Sequence, residues 1–299
     1  MGNVLFKEVE HVEHDVQIQC ASRIIMVRPH NFTLNEETAK DNVFQDVHCS
    51  TEDAAKLACS EFDAFVKLIQ AAGVEVEVFT GKYSPDAVFP NNWISTHNTI
   101  KPPQIQIYPL MAESRRRERT YEITKFIEKH YDVKQFYGTD RAFQWLEMEG
   151  LYMEGTGSLI LDRQNSICYA CVSQRTNPKL VTAWCGEMGY TPIIFDAVDA
   201  NGLPYYHTNV IMSVCEKFVI LCSEAIKDSA QREHVLKSIK RSQKELIEIS
   251  YQQVTNFCGN VLQLISLDRT NDILVMSTRA KNGFTDTQIR YIESFGVQI

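Results

Sequence analysis

The chain has no uninterrupted apolar run long enough to cross a membrane. The longest, Val210 to Cys222, is broken by Glu216-Lys217, and a spanning helix needs about 20 apolar residues. The first residues, MGNVLFKEVEHVEHD, are charged and lack the apolar core of a secretory signal. Met1-Gly2 opens like a myristoylation signal, but Phe6 stands where that signal wants Ser or Thr. Positive charge is also scarce: 30 Lys and Arg face 38 Asp and Glu, a formal charge of −8. That argues against the net basic face of a nucleic-acid binder. No paired disulfide framework is evident either. Nine cysteines is an odd number, and without a secretory signal reduced thiols in a cytoplasmic protein are the expectation.

At 299 residues the length suits two domains or one repetitive domain. Apolar residues at 44% and charged residues at 23% are ordinary globular values. The run Arg115-Arg116-Arg117-Glu118-Arg119 opens a helical pattern and reads as a solvated helix face. Cys168 and Cys171 sit in an apolar β-like run, where odd separation sends them to opposite faces. His11 and His14 have metal-like spacing but no second pair, and Gly155-x-Gly157 is too short for a dinucleotide loop. Trp93 and His97 follow the Asn pair as candidate pocket-lining residues, Trp93 reading equally well as core, and Cys49, Cys59, Cys185, Cys215 and Cys222 read as small buried apolar residues. No metal or organic cofactor is called for.

What is present is a repeat with a period near 50 residues. One unit runs 157–162, 166–173, a helix over 177–189, then 191–197. The next runs 209–214, 217–223, a helix near 228–242, then 245–250; a third runs 260–266, 272–278, a helix near 285–295, then 296–299. Each reads strand, strand, helix, strand. The first half holds a longer copy (92–96, 105–110, a helix near 113–130, 133–137) and a partial one (23–29, a helix near 51–72, 74–79). About five ββαβ units would close most simply into a ring around a central cavity. The expectation is one α/β catalytic domain over 1–299, with residues 1–20 as a mobile N-terminal segment.

Equivalent positions of a ring share one rim. Just before the first strands stand Asn91-Asn92, Glu154-Gly155-Thr156, His207-Thr208 and Cys258-Gly259, with 53 residues from Glu154 to His207 and 51 from His207 to Cys258. An acid, an imidazole and a thiol arriving together are the parts of covalent catalysis: nucleophile, proton carrier and the carboxylate that orients it. Gly259 and Asn260 offer N–H groups for an oxyanion.

The segments MVRPHNF (26–32), PDAVFPNNW (85–93), EGTGSLILDR (154–163), SQRTN (173–177), YHTNVIM (206–212) and FCGN (257–260) resemble the pentein, or guanidino-group-modifying, superfamily. Its members include arginine deiminases, dimethylarginine dimethylaminohydrolases and amidinotransferases. The resemblance is strongest to its citrulline-utilisation (citrulline ureidase) branch and spans nearly the whole chain. It implies a five-bladed α/β propeller. It also implies Cys258 as nucleophile, His207 as acid/base, Glu154 as its partner, Asp86 as a substrate-binding carboxylate and Arg175 as a holder of substrate carboxylate.

Three departures matter. Both Asn91 and Asn92 are amides where enzymes acting on guanidinium carry a carboxylate pair or a single Asp. Asn209 ends a His-Thr-Asn where deiminases read His-x-Asp. The thiol is followed by an additional strand and helix. Val275-Met276-Ser277 resembles a deiminase Cys-Met-Ser but falls in a second strand, out of phase with Glu154 and His207. A ureido group presents a carbonyl beside its N–H donors, so Asn92 and Asn209 suit it better than a guanidinium, which only donates; the alternative is that these side chains cap turns. The reading is a cysteine-dependent hydrolase converting citrulline to ornithine, ammonia and carbon dioxide, with a small amino acid as its partner and neither nucleic acid nor membrane. Alternatives are an enzyme acting on arginine or methylated arginine, and a non-catalytic amino-acid binder.

Overall fold

The structure, a computed structural model, describes residues 18–40, 42, 44, 51–97, 103–130, 135–137 and 140–299. His11, His14 and Cys49 lie outside the described residues, as does most of the expected 1–20 segment. The first unit comprises β1 (Arg23–Arg28), α1 (Thr51–Ala71) and β2 (Glu75–Thr80). The second has β3 (Ile94–His97), β4 (Gln104–Ile107), α2 (Tyr121–His130) and β5 (Gln135–Tyr137). Two helices follow, α3 (Asp140–Met148) and the single-turn α4 (Gly155–Ser158). The third unit has β6 (Ile160–Asp162), β7 (Ile167–Cys171), α5 (Pro178–Met188) and β8 (Thr191–Phe195). The fourth has β9 (Met212–Val214), β10 (Phe218–Leu221), α6 (Ser229–Arg241) and β11 (Glu245–Glu248). After α7 (Tyr251–Thr255), the fifth has β12 (Leu262–Ile265), β13 (Asp272–Val275), α8 (Thr278–Gly283), α9 (Asp286–Glu293) and β14 (Val297–Gln298).

These strands form five small sheets. In the four three-stranded sheets the first strand runs antiparallel to the second, and the second parallel to the third. The remaining sheet pairs β1 with β2 in parallel. Central strands carry the longest apolar runs because both their faces are covered: all of Phe218–Leu221 is buried, as are both Cys168 and Cys171. Helix ends follow the local chemistry. Asn177 caps α5 through bonds from Lys179 N and Leu180 N, and Gly189 closes it at φ 72°. Capping boxes Ser250/Gln253 and Thr285/Gln288 start α7 and α9.

Two expectations are corrected. The helix expected near 113–130 is a 3-10 turn over Glu113–Glu118, a break at Arg119-Thr120, then α2. The strand expected from residue 157 begins only at Ile160, because residues 155–158 coil into α4. Val275 does lie in a second strand.

Successive sheets touch. The turn at Pro90–Asn92 packs on β1, and Gly155 approaches Asn91 so closely that a Cβ there would fall 2.2 Å from the Asn91 carbonyl oxygen. Thr208 Oγ1 donates to Ser158 O at 2.6 Å, and Ser213 Oγ to Gly259 O at 2.6 Å. Ala21 bridges Leu264, leading from β12 back toward β1. The Gln19 amide donates to Leu161 O and Val214 O and accepts from Arg163 N, clasping the ends of β6 and β9. Among the described residues no helix is long and apolar enough to cross a membrane.

Thr208 is a keystone of this packing, because its hydroxyl also accepts from Cys171 N at 2.8 Å. Thr208→Val keeps the shape but leaves that buried N–H and the Ser158 carbonyl without their partner. We expect a loss of about 1–3 kcal/mol in unfolding free energy, read as a lower urea midpoint at unchanged slope.

Candidate active site

Glu154 stands at the entry to α4 and is wholly buried. Its Oε2 accepts from His207 Nε2 at 2.8 Å, and its Oε1 from Met111 N at 3.0 Å. Two guanidinium groups flank Oε2, Arg175 Nη1 at 3.5 Å and Arg115 Nη1 at 3.7 Å. Burial pushes the Glu154 carboxyl up, but the His207 hydrogen bond and the charges of His207, Arg175 and Arg115 prevail and hold it at about 2. Burial pushes the His207 imidazole down, and the pull of Glu154 restores only part of that. The pair therefore rests as carboxylate and neutral imidazole. Because Nε2 carries the proton given to Glu154, Nδ1 holds the free lone pair.

Asp86 is buried beside them, accepting from Asn35 Nδ2 at 2.8 Å and Thr38 Oγ1 at 3.0 Å, with Arg115 Nε at 3.8 Å. Arg175 also donates to Thr38 O and lies over the Tyr206 ring. Asn92 is buried and accepts at Oδ1 from Arg115 Nη1 at 3.0 Å. Glu154, His207, Asp86, Asn92 and Arg175, five of the seven expected site residues, thus form one connected cluster. Gly157 lies between two of them: a Cβ there would fall 2.6 Å from Asn92 Nδ2 and 2.8 Å from His207 Nδ1.

The other two are placed differently. Asn209 engages through its backbone carbonyl, which accepts from Asn260 Nδ2 at 2.9 Å. Cys258 follows Phe257, a residue at φ 64°, and its thiol is buried against α8, donating to Ala280 O at 3.3 Å. A Cβ on Gly283 would touch its sulfur at 2.8 Å. Burial pushes that thiol up to about 11, so here it is a protonated, packed side chain. The Asn260 N–H is also spent, on Phe257 O.

The sequence reading missed Arg115 and Glu118. Far from a solvated face, both are buried. Glu118 accepts from Arg115 Nε and Nη2, each at 2.9 Å, and from Ser84 Oγ at 2.7 Å. The carboxylates of Glu118, Asp86 and Glu154 around the guanidinium supply what burial takes away. The signal was the i, i+3 Arg–Glu spacing inside the basic run. Trp93 is core; His97 is buried beside Ser95 Oγ and Trp184, apart from the cluster. Among the described residues no group of three or more His, Cys, Asp or Glu is arranged to hold a metal ion.

Five small sheets and a buried carboxylate–imidazole–guanidinium cluster belong to a mixed α/β fold similar to that of solved pentein-type structures. A family model for eukaryotic N,N-dimethylarginine dimethylhydrolases matches residues 28–299, and the chain belongs to that family. No curated protein sequence matches it significantly. Among solved structures, ArgZ, an arginine dihydrolase from the ornithine-ammonia cycle in cyanobacteria, aligns with TM-score 0.67 at 15% identity, over 92% of this chain and 37% of that one. The N-terminal domain of ArgZ, as a cysteine-to-serine mutant bound to substrate, aligns at 0.64 and 15%, over 92% of this chain and 89% of that domain. A dimethylarginine dimethylaminohydrolase adduct with S-methyl-L-thiocitrulline aligns at 0.57 and 16%, over 93% and 91%. The chain spans little more than a third of full-length ArgZ.

Both Glu154 and His207 are shifted downward on folding, so each contributes stability that is present above its unfolded pKa and lost on acidification. Loss should begin as pH falls through about 6.5, where His207 protonates in the unfolded chain, and deepen from about 4.5 toward about 2 as Glu154 is titrated. Denaturant unfolding across that range checks it, and His207→Gln should shrink the first decline, leaving the share of buried His97, and move the second to higher pH as Glu154 loses its imidazole partner.

Proposed function

We propose that this protein hydrolyses a C–N bond in the ureido head of a small amino acid, with citrulline giving ornithine, ammonia and carbon dioxide. On this reading the five sheets are the blades of a five-bladed α/β propeller in a single catalytic domain, with the cluster at the centre. The observation that carries it is the Glu154–His207 pair: a buried carboxylate fixes an imidazole with Nδ1 unpartnered beside Asn92 Nδ2. A base and an amide donor side by side suit a neutral head that offers N–H and C=O together. Arg175, on the same cluster, takes the substrate carboxylate.

The chemistry balances without a cofactor. His207 Nδ1 takes the thiol proton, the resulting thiolate adds to the ureido carbon, the bond to the amino-acid nitrogen breaks, and that nitrogen takes the proton from His207. Water then gives its proton to His207 and cleaves the carbamoyl thioester, and the carbamate falls to ammonia and carbon dioxide. Support for covalent chemistry comes from the relatives. An ArgZ N-terminal domain carrying an asparagine-to-serine change is covalently bound to a reaction intermediate. AgrE has been seen with ornithine and, as a cysteine-to-alanine mutant, with L-arginine.

For Cys258 to serve as that thiolate, its sulfur must leave Ala280 O and its proton must pass to a base. We therefore expect iodoacetamide to modify Cys258 in the free protein no faster than the other buried thiols. Cys258→Ala then settles its part: lost turnover with the fold intact makes it the nucleophile, whereas retained turnover gives this thiol to the packing behind α8.

A second reading, arginine or dimethylarginine as substrate, is favoured by the three carboxylates Asp86, Glu118 and Glu154 facing only two guanidinium groups. All three already accept bonds from protein donors, which favours the neutral head. A panel of citrulline, arginine, dimethylarginine and agmatine, read by ammonia and ornithine release, decides between them. Citrulline should lead, and His207→Ala should lower its kcat/KM by about 100-fold or more. Near-normal turnover in that variant would remove the imidazole from the reaction.

A further inference from the structure

We infer that Arg115 is a positioning residue that turns the Asn92 amide so that its NH2 faces the reactive head, and so sets the preference for a carbonyl-bearing substrate over a guanidinium. The inference rests on the ureido reading above and deepens it.

A primary amide can present either its oxygen or its nitrogen to a site, and nothing in Asn92 alone decides which. Arg115 decides it chemically. A guanidinium has five N–H donors and no acceptor, so the Asn92 atom it meets at 3.0 Å must be Oδ1. The guanidinium cannot drift from that post, because Glu118 grips Nε and Nη2 in a two-point bond at 2.9 Å each. Ser84 holds Glu118 from behind at 2.7 Å. With the oxygen engaged, Nδ2 is directed to the other side, where it shares the space over Gly157 with His207 Nδ1. Nδ2 has no protein partner among the described hydrogen bonds, yet it is not among the buried polar atoms sealed from solvent. A donor left unmatched inside a buried cluster is matched by what binds there. A ureido oxygen accepts from it; a guanidinium nitrogen cannot, and would face it donor to donor.

This role differs from a plain charge contact with substrate. If Arg115 merely attracted the substrate's carboxylate, its loss would weaken citrulline and arginine alike, since both carry the same amino-acid end. A positioning role changes their ratio.

The experiment measures kcat/KM for citrulline and arginine on wild type, Arg115→Lys, the double variant Arg115→Met/Glu118→Met, and Asn92→Asp. Lysine's single ammonium cannot hold Glu118 at two points and Asn92 together, so the amide is released while the charge remains. The double variant removes Arg115 and Glu118 together, which spares the fold an unpaired Glu118, while Asp86 keeps its bonds from Asn35 and Thr38. Wild type should favour citrulline by about tenfold or more, and both Arg115 variants should bring the ratio toward unity. Asn92→Asp keeps an oxygen on Arg115 and places an acceptor over Gly157, so its ratio should swing toward arginine. A citrulline preference that stays unmoved in both Arg115 variants, with kcat/KM for both substrates falling in step, overturns the role of Arg115 and leaves the ureido reading intact. A wild type that prefers arginine overturns the ureido reading itself.

Discussion

The structure is organised around one ionised carboxylate with no access to water. Glu154 has zero exposure, and an isolated charge so placed would cost several kcal/mol or more. Its surroundings are the answer to that cost: a backbone N–H from Met111, an imidazole from the fourth unit, and guanidinium groups from the second and third. Met111 and Arg115 share the segment between β4 and α2, Arg175 lies between β7 and α5, and His207 stands just before the fourth sheet. Keeping one charge solvated by the protein therefore fixes the mutual placement of three units.

The same requirement propagates outward. Arg115, brought in to face Glu154, is itself a buried charge and needs Glu118, Asp86 and the Asn92 oxygen. Burial opposes its charge, and those neighbours more than compensate, keeping the guanidinium firmly protonated. Asp86 in turn takes Asn35 and Thr38 from the segment after β1, and the Thr38 carbonyl takes Arg175. The chain of obligations ends where it began, at Glu154. Few of these groups can be changed singly, which is why the polar centre behaves as one unit.

Much of this was legible in the sequence, and the exceptions have physical causes. Strand and helix periods located four full units and a partial one, and repeat phase put Glu154, His207 and Asn92 beside one another. Phase, however, fixes where a backbone stands and not where its side chain goes. Phe257 in the left-handed region turns the chain so that the Cys258 sulfur meets Ala280, and Asn209 offers its carbonyl to Asn260. The arginine run misled for a different reason. Charge on a helical pattern signals solvent only when no counter-charge waits inside, and the acids that draw Arg115 inward include residues 86 and 154, far away in sequence.

The two-stranded sheet has a mechanical meaning. Four sheets flank their middle strand on both sides, whereas β1, among the described residues, is paired along β2 alone. This sheet is held together by one ladder of six residue pairs, so it can part from its neighbours without breaking a second ladder of its own. The segment that follows β1 carries Asn35 and Thr38, which hold Asp86 and Arg175. Breathing at that seam would loosen the anionic and cationic ends of the cluster together while leaving Glu154 and His207 clamped. Loosening of the cluster's rim and integrity of its buried carboxylate–imidazole pair are thereby assigned to different parts of the chain.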